Sequence, residues 1–272
     1  MPELPEVECV RRTLAPVIIG KNIINIVINL EKIVRPDPLF FQKGLLNKRI
    51  VQVDRHGKLL IVHLENSSFW AIHLGMTGQI ILREKQPDLP HIHACIHFND
   101  QSGFFFRDVR QFGFMAYLPN KEALQKGPLK NMGPDALMIS LETFTKSLAG
   151  RKAPIKSLLL DQRILAGVGN IYADESLFRA GIAPTSRAGE IPPKALAKLH
   201  RILRELLGQA IDCGGSSIRD YVDAKGEAGS FQDLHQVYGH KGAPCPICGR
   251  EIKKITLGGR STHYCRHCQK CY

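Results

Sequence analysis

Four cysteines near the end of the chain have the spacing of a metal site. They form two Cys-x-x-Cys pairs, Cys245 with Cys248 and Cys265 with Cys268. Two such pairs supply the four thiolates of a closed structural zinc site, which leaves no open position for catalysis. Cys271 also forms such a pair with Cys268, but we favour Cys265 and Cys268 because the residues after Cys268 are then simply the chain end. We therefore predict one structural Zn2+ ion.

Six short motifs follow one another along the chain. They are Pro2-Glu-Leu-Pro-Glu-Val-Glu8, Asp54-Arg-His-Gly-Lys-Leu-Leu60, His73-Leu-Gly-Met-Thr-Gly78, Asp108-Val-Arg-Gln-Phe-Gly113, Ala166-Gly-Val-Gly-Asn-Ile-Tyr-Ala-Asp-Glu175 and Gly259-Arg-Ser-Thr-His-Tyr-Cys265. In type and order they resemble the motifs of the bacterial formamidopyrimidine-DNA glycosylase family, over essentially the whole chain. The resemblance implies a base-excision repair enzyme that removes 8-oxoguanine and formamidopyrimidines and then nicks the DNA at the abasic site.

The resemblance also implies covalent catalysis from the N-terminus. Removal of Met1 would expose the amine of Pro2, and an α-amine has a pKa near ~8. Such an amine can attack the sugar carbon C1′ and form a Schiff base, from which β,δ-elimination follows. Glu3 would protonate the sugar ring oxygen as a general acid. The other catalytic residues that the family pattern implies are Glu6, Lys58 and Arg260.

A glycosylase must extrude its target nucleotide from the duplex, and the hole that remains has to be filled. The resemblance assigns this role to a wedge of Met76, Arg110 and Phe112. Asn170 follows a glycine-rich turn and begins a predicted helix, where backbone amides favour phosphate. The remaining DNA contacts that we predict are His73, His91, Arg151, Lys152, Lys156 and Arg260. Glu8 lies off the catalytic face of its helix and is expected to be a solvated charge.

Three other functions remain open at this point. A sister enzyme with the same amine chemistry would remove oxidised pyrimidines, although Leu4-Pro5 and the intact wedge favour purines. A non-catalytic damage-binding protein would have no need of Pro2, Glu3 and Lys58. A zinc-dependent nuclease is disfavoured because four thiolates leave the metal no open position.

The elements that must position these residues change in character along the chain. After an N-terminal helix, short segments with β-strand patterns predict an antiparallel β-sandwich. In the first of them, Asn22–Leu30, the residues Ile24 and Ile26 are expected on one face. The later strands are predicted at Ile50–Asp54, Leu59–Leu64, Phe69–Leu74, Gln79–Leu82, Ala94–Phe98 and Gly103–Arg107.

The second half is predicted to be helical. Leucines at helical spacing from Leu196 to Leu206 form an apolar stripe, and Gly214-Gly215 should end that helix. The fold class is therefore α+β, with the β-sandwich at 1–130, a linker at 131–150, a helical domain at 151–235 and a zinc finger at 236–272. The resemblance implies a helix–two-turn–helix element, DNA in a groove between the domains, and a lesion-capping loop at 214–229. In that loop Ser216, Ser217 and Arg219 would bind the everted base.

The composition indicates the class of partner. Lys and Arg number 37 against 25 Asp and Glu, a formal charge of +12, which favours a polyanion such as damaged double-stranded DNA. No apolar run approaches the ~18 residues of a membrane span, and the acidic start is unlike a signal peptide. We expect a cytoplasmic, nucleoid-associated monomer that uses no nucleotide cofactor.

Overall fold

The computed structural model describes residues 2–218 and 221–272, which form two compact units. Unit 1 contains the chain up to Asn131 together with Cys213–Ser230, and unit 2 contains Met132–Asp212 and Phe231–Tyr272. This division differs from the expected one in that the loop at 214–229 belongs to the N-terminal unit. Among the described residues, no helix combines the length and the apolar character that a membrane crossing requires.

Unit 1 is built from strands with a helix at its start. Its helices are α1 (Leu4–Ile18), α2 (Pro38–Leu45) and α3 (Lys121–Lys126). Its strands are β1 (Ile23–Ile28), β2 (Val34–Arg35), β3 (Ile50–His56), β4 (Leu59–Leu64), β5 (Phe69–His73), β6 (Gly78–Arg83), β7 (Ile92–Phe98), β8 (Gly103–Asp108) and β9 (Phe114–Leu118). Each predicted strand is present, with its ends shifted by a residue or two.

Two sheets share one core in unit 1. One has the order β1-β7-β8-β6, and the other has the order β2-β9-β5-β4-β3. Trp70 of β5 and Phe104 of β8 are fully buried, and their ring centroids lie 4.8 Å apart between the sheets. The predicted β-sandwich is therefore confirmed. It is antiparallel except at β2, which pairs in parallel with β9.

Helix α1 packs on this sandwich through one apolar face. Leu4, Val7, Leu14 and Ile18 recur at helical spacing and are 0–1 % exposed. Pro5 lies in the first turn, where its missing N–H costs no hydrogen bond. Packing of this apolar face against the sandwich therefore fixes the position of the first turn of α1 and of the residues that precede it.

Unit 1 differs from the sequence analysis in the register of β1 and in four elements that were not predicted, α2, α3, β2 and β9. The register of β1 shifts between Ile23 and Asn25, and this bulge turns Ile24 out of the core, where it is 52 % exposed. Helix α2 was not predicted, although it has a clear start signal. The Asp37 side chain accepts a hydrogen bond from the Phe40 amide at 2.8 Å, and Pro38 occupies the first turn.

Unit 2 is helical and ends in a hairpin. It contains α4 (Leu141–Leu148), α5 (Ile155–Leu160), α6 (Asn170–Ala180), α7 (Pro193–Asp212) and the strands β10 (Lys253–Leu257) and β11 (Arg260–Tyr264). The predicted leucine stripe of α7 is buried, and Gly214 and Gly215 follow the helix with φ of 75° and 85°. Residues 131–150 do not form a simple linker, because α4 packs Phe144 and Leu148 into unit 2.

Candidate active site

The predicted nucleophile and both predicted carboxyl groups lie at the start of α1. Pro2 is buried directly before the helix, and Glu3 and Glu6 are 2 % and 1 % exposed. Glu3 is the N-cap, and it forms a capping box with Glu6: each side chain accepts from the other's backbone N–H. The Glu3 amide donates to Glu6 Oε2 at 2.8 Å. The backbone beside Pro2 is therefore held by a buried carboxylate.

The same carboxylate of Glu6 anchors the glycine-rich loop. The Ser216 amide donates to Glu6 Oε1 at 2.8 Å, and the Tyr221 hydroxyl donates to the Glu6 carbonyl at 3.1 Å. Gly215 must be glycine here, because its φ is 85° and a Cβ would lie 3.0 Å from Glu6 Oε1. Glu6 thus joins the N-terminus to the predicted lesion-capping loop. The sequence analysis did not anticipate this second bond.

Inside the loop, the predicted hydrogen-bond donors already have partners. The Ser217 hydroxyl donates to the Tyr221 carbonyl at 2.8 Å and accepts from the Gly229 amide at 2.9 Å. The Ala224 amide donates to the Thr13 hydroxyl of α1 at 3.2 Å. Arg219, the third predicted base contact, lies outside the described residues.

Lys58 lies at the turn between β3 and β4 and is 9 % exposed. Gly57 precedes it with a φ of 57°, and the Arg55 guanidinium donates to the Gly57 carbonyl at 2.9 Å. Arg55 Nε also lies 3.2 Å from Glu8 Oε2 of α1. The contacts from Glu8 through Arg55 to Gly57 therefore connect helix α1 to the turn that carries Lys58.

The prediction that Glu8 is a solvated charge is wrong. The side chain is 7 % exposed and lies among Arg11, Arg12 and Arg55. Burial acts to raise the Glu8 pKa, but hydrogen bonds and positive charge from these arginines outweigh it and hold the pKa below the usual value. Arg55 reaches Glu8 from β3, which is 47 positions away along the chain.

His73 lies at the end of β5, opposite Leu59, and carries no charge at neutral pH. Burial lowers its pKa to about 4, and the neighbouring charges of Lys58 and Arg35 act in the same direction. Its Nδ1 accepts from the Gly75 amide at 3.0 Å, so the ring proton is on Nε2. His73 can therefore offer a phosphate a neutral hydrogen-bond donor, rather than a cation.

The three predicted wedge residues lie on two neighbouring loops. The first wedge loop, residues 74–77, carries Met76, and the second wedge loop, residues 109–112, carries Arg110 and Phe112. Phe112 is 57 % exposed, and the Arg110 guanidinium lies 5.2 Å from the centre of its ring. The His91 side chain is exposed. Its carbonyl accepts from the Asp108 amide at 3.1 Å, which places His91 beside the second wedge loop. The fold thus brings all four predicted residues together.

In unit 2 the hairpin β10–β11 presents Arg260. Gly258 and Gly259 form its tight turn with φ of 55° and 73°, as left-handed hairpin turns require, and Arg260 follows exposed. Asn170, the first residue of α6, donates from Nδ2 to the Ser261 carbonyl at 2.9 Å. The start of α6 and the tip of the hairpin are therefore held side by side.

Lys156 does not fit its predicted role as a phosphate contact. The side chain is fully buried, and Nζ lies 2.7 Å from Asp174 Oδ1. Nζ also donates to the Ser261 carbonyl at 2.9 Å and to the Thr262 hydroxyl at 2.8 Å. The Lys156 ammonium is therefore paired inside unit 2, where it holds the hairpin to α6. The other two predicted basic residues of this group, Arg151 and Lys152, are exposed.

A buried acid on α6 was missed by the sequence analysis. Glu175 is fully buried, and its carboxylate accepts from the backbone amides of Gln236, Val237 and Tyr238 at 2.8 to 3.0 Å. The ring of Tyr238 in turn lies 5.3 Å from the ring of His263 in β11. The sequence contains a signal for it. Asp174 and Glu175 are two consecutive acids at the end of a mostly apolar motif, a pattern that could have indicated a buried acid.

The four predicted metal ligands converge in unit 2. The sulfurs of Cys245, Cys248, Cys265 and Cys268 all lie within 4.8 Å of one another. The Cys245–Cys268 and Cys248–Cys265 separations are 3.8 and 3.6 Å. Zn–S bonds of ~2.3 Å in a tetrahedron require sulfurs about 3.8 Å apart, so the cluster fits one structural zinc ion. Cys271 is outside it, which settles the choice of pair.

Three family models match the chain in order. The formamidopyrimidine-DNA glycosylase N-terminal domain matches residues 1–115, the H2TH domain of the same family matches 132–222, and the zinc finger found in FPG and IleRS matches 242–270. The formamidopyrimidine-DNA glycosylase of Geobacillus kaustophilus is 42% identical over 275 residues, which cover 99% of this chain and 100% of the relative.

Solved structures agree with these matches. A mutant Lactococcus lactis FPG bound to Fapy-dG-containing DNA is 36% identical, with a TM-score of 0.92 over 99% of this chain and 100% of that one. Lactococcus lactis Fpg bound to abasic-site DNA is also 36% identical, with a TM-score of 0.91 over 98% and 99% of the two chains. The protein therefore belongs to the formamidopyrimidine-DNA glycosylase family, a family of DNA repair enzymes.

Proposed function

We propose that this protein excises oxidised purines, 8-oxoguanine and formamidopyrimidines, from double-stranded DNA and then nicks the strand at the abasic site. The observation that carries the proposal is the buried first turn of α1. There the two carboxyl groups of Glu3 and Glu6 surround the backbone that follows Pro2 and hold it by a capping box. Two buried carboxyl groups beside a candidate amine are suited to general acid–base chemistry.

The first step uses the Pro2 amine, which is free only after Met1 is removed. Its nitrogen forms a bond to C1′ while the bond from C1′ to the damaged base breaks, and the base leaves with the electron pair. The proton of the amine passes to the departing base. Glu3 donates a proton to the ring oxygen O4′, the sugar ring opens, and a cationic Schiff base (an iminium) remains between Pro2 and C1′. The buried bond from the Glu3 amide to Glu6 keeps the general acid at its place beside the amine.

Elimination then breaks the strand. Loss of a proton from C2′ expels the 3′ phosphate, and loss of a second proton from C4′ expels the 5′ phosphate. Water hydrolyses the remaining imine and regenerates the amine. Lys58, held by the turn at Gly57, and Arg260, on the hairpin tip, supply the positive charge that phosphate leaving groups need.

The preference for purines rests on relatives. A homologue with a TM-score of 0.92 to this chain was solved with Fapy-dG-containing DNA, a ring-opened purine lesion. The wedge of the half-buried Met76 and the exposed Arg110 and Phe112 suits an enzyme that must replace an extruded nucleotide in the duplex. We further propose that the protein acts as a cytoplasmic, nucleoid-associated monomer without a nucleotide cofactor, and that its +12 charge drives DNA association.

Borohydride trapping tests the proposal. Mature protein is incubated with a duplex that carries one 8-oxoguanine opposite cytosine, and with a second duplex that carries an oxidised thymine. We expect a covalent adduct and a strand nick on the purine substrate. Both should be reduced in Pro2→Gly, which replaces the secondary amine by a primary one, and lost in a form that retains residues ahead of Pro2. Pro16→Gly is the matched control, since it makes the same change at an exposed position of the same helix.

The outcomes separate the alternatives. Trapping mainly on oxidised thymine would transfer the protein to the pyrimidine-specific sister enzymes. Tight lesion binding without any trapped adduct would leave a damage-binding protein and would remove the catalytic assignments. Equal trapping by unchanged protein and by the form that retains residues ahead of Pro2 would show that another amine is the nucleophile.

A further inference from the structure

We infer that Asp108, together with Thr77, is a positioning residue that holds the two wedge loops as one preformed unit. The inference rests on the proposed function, because it assigns a support to the wedge that fills the duplex. Neither residue touches the DNA in this view; each acts through the loops that carry Met76, Arg110 and Phe112.

Asp108 is a fully buried carboxylate at the end of β8, where the second wedge loop begins. Its Oδ2 accepts from the Gly113 amide at 2.7 Å, so it closes the loop from one end to the other. Its Oδ1 accepts from the Thr77 hydroxyl at 2.6 Å, across to the first wedge loop. The Arg110 amide donates to that same Thr77 hydroxyl at 3.0 Å. Removal of any one of these donors would leave a buried polar group without its partner, which costs free energy of folding.

The backbones of the two loops also touch. A Cβ at Gly75 would lie 2.5 Å from the Gly113 nitrogen and 2.6 Å from the Phe112 carbonyl carbon. A Cβ at Gly113 would lie 2.9 Å from the His73 carbonyl and 3.0 Å from Asp108 Oδ2. Only glycine fits at both places, so the loops are packed against each other without side chains between them.

A third element supports the same carboxylate residue. His93 Nε2 lies 2.9 Å from the Asp108 carbonyl, and the His91 carbonyl accepts from the Asp108 amide at 3.1 Å. Asp108 is therefore fixed through its backbone by β7 and through its side chain by both wedge loops. The consequence is a rigid base beneath the half-buried Met76 and the exposed Arg110 and Phe112, which lowers the ordering cost of inserting these side chains into DNA.

The test uses Thr77→Val, which keeps the shape of threonine and removes the hydroxyl, and Thr77→Ser, which keeps the hydroxyl. Asp108→Asn is a second, stronger change. Ser102→Ala is the matched control, because its hydroxyl also donates to an aspartate at 2.6 Å, but at the exposed turn at the other end of β8. All four variants are made in the full-length protein.

Three measurements are made on each variant. Amide hydrogen exchange of Arg110 and Gly113 reports the hydrogen bonds that Thr77 and Asp108 accept from these amides. Fluorescence of 2-aminopurine placed opposite a tetrahydrofuran abasic analogue reports insertion of the wedge. Borohydride trapping on a single-stranded abasic oligonucleotide reports the chemistry alone, since no opposite base has to be displaced.

For Thr77→Val we expect about tenfold faster exchange at both amides and about tenfold weaker wedge binding. Thr77→Ser and Ser102→Ala should match the unchanged protein, and single-strand trapping should be unaffected in Thr77→Val. The inference is overturned if Thr77→Val keeps its amide protection and fluorescence response, if Thr77→Ser fails equally, or if single-strand trapping falls in parallel. If the unchanged protein does not trap at all, the proposed catalysis fails. Hydrogen exchange and fluorescence then still decide whether Asp108 and Thr77 hold the two wedge loops together.

Discussion

Replacement of Lys156 by methionine tests whether this lysine stabilises the interior of unit 2 or contacts DNA. The Lys156 ammonium is fully buried and lies within 2.7 to 2.9 Å of three oxygens, from Asp174, Ser261 and Thr262. Methionine has a similar length and no charge, so it leaves the Asp174 carboxylate buried without its cation. Removal of one partner from a buried ion pair costs about 3–5 kcal/mol, and we expect unit 2 to lose that much stability.

Urea unfolding can be followed separately in the two units. Trp70 is the only tryptophan and lies in unit 1, so its fluorescence reports that unit. Far-ultraviolet circular dichroism near 222 nm reports mainly helices, and unit 2 contains the larger part of them. We expect Lys156→Met to lower the unfolding midpoint seen by dichroism and to leave the fluorescence transition in place. In Lys156→Met/Asp174→Asn the loss should be smaller than the sum of the single losses by at least about 1 kcal/mol.

The salt dependence of DNA binding completes the test. Each phosphate contact that is lost reduces the slope of log K against log salt by about 0.9. We expect no change of slope in Lys156→Met. Lys152→Met, four residues earlier and exposed, should lower the slope and leave stability unchanged. The reasoning is refuted if Lys156→Met unfolds within about 1 kcal/mol of the unchanged protein and lowers the slope as a phosphate contact would.

Three further predictions concern other parts of the chain. Arg55→Met releases the carbonyl ahead of Lys58 and should slow adduct formation about tenfold at nearly unchanged DNA affinity; an equal loss of affinity would contradict this. Because the folded pKa of His73 is about 4 against an ordinary 6.5, the unfolded chain binds more protons between these values, so stability should fall as pH drops through this window. His73→Gln should flatten that dependence in urea midpoints, and an unchanged slope would disprove it. Cys248→Ser should abolish stoichiometric zinc and hairpin folding, whereas Cys271→Ser should retain both in a zinc assay.

Local patterns were enough to predict most of the fold. The alternation of apolar residues located the strands of unit 1, the leucine spacing located α7, and the two Cys-x-x-Cys pairs located the metal cluster. Each of these signals depends on residues within a few positions of one another, where the geometry of a strand, a helix or a zinc knuckle sets the spacing. The exception, Ile24, was misassigned because a bulge depends on the partner strand β7 as well as on the sequence of β1.

The surroundings of the charged residues could not be predicted in the same way. Glu8 was expected in solvent, and it is buried by Arg55, which is 47 positions away along the chain. Lys156 was expected on DNA, and it is buried under Ser261, which is 105 positions away. Whether a charge meets water, phosphate or an opposite charge depends on which distant segments fold against it. The sequence by itself therefore determined the family, most of the elements and the metal ligands. Only the tertiary structure decided which charged side chains are free to act, because burial is produced by contacts between segments far apart in the chain.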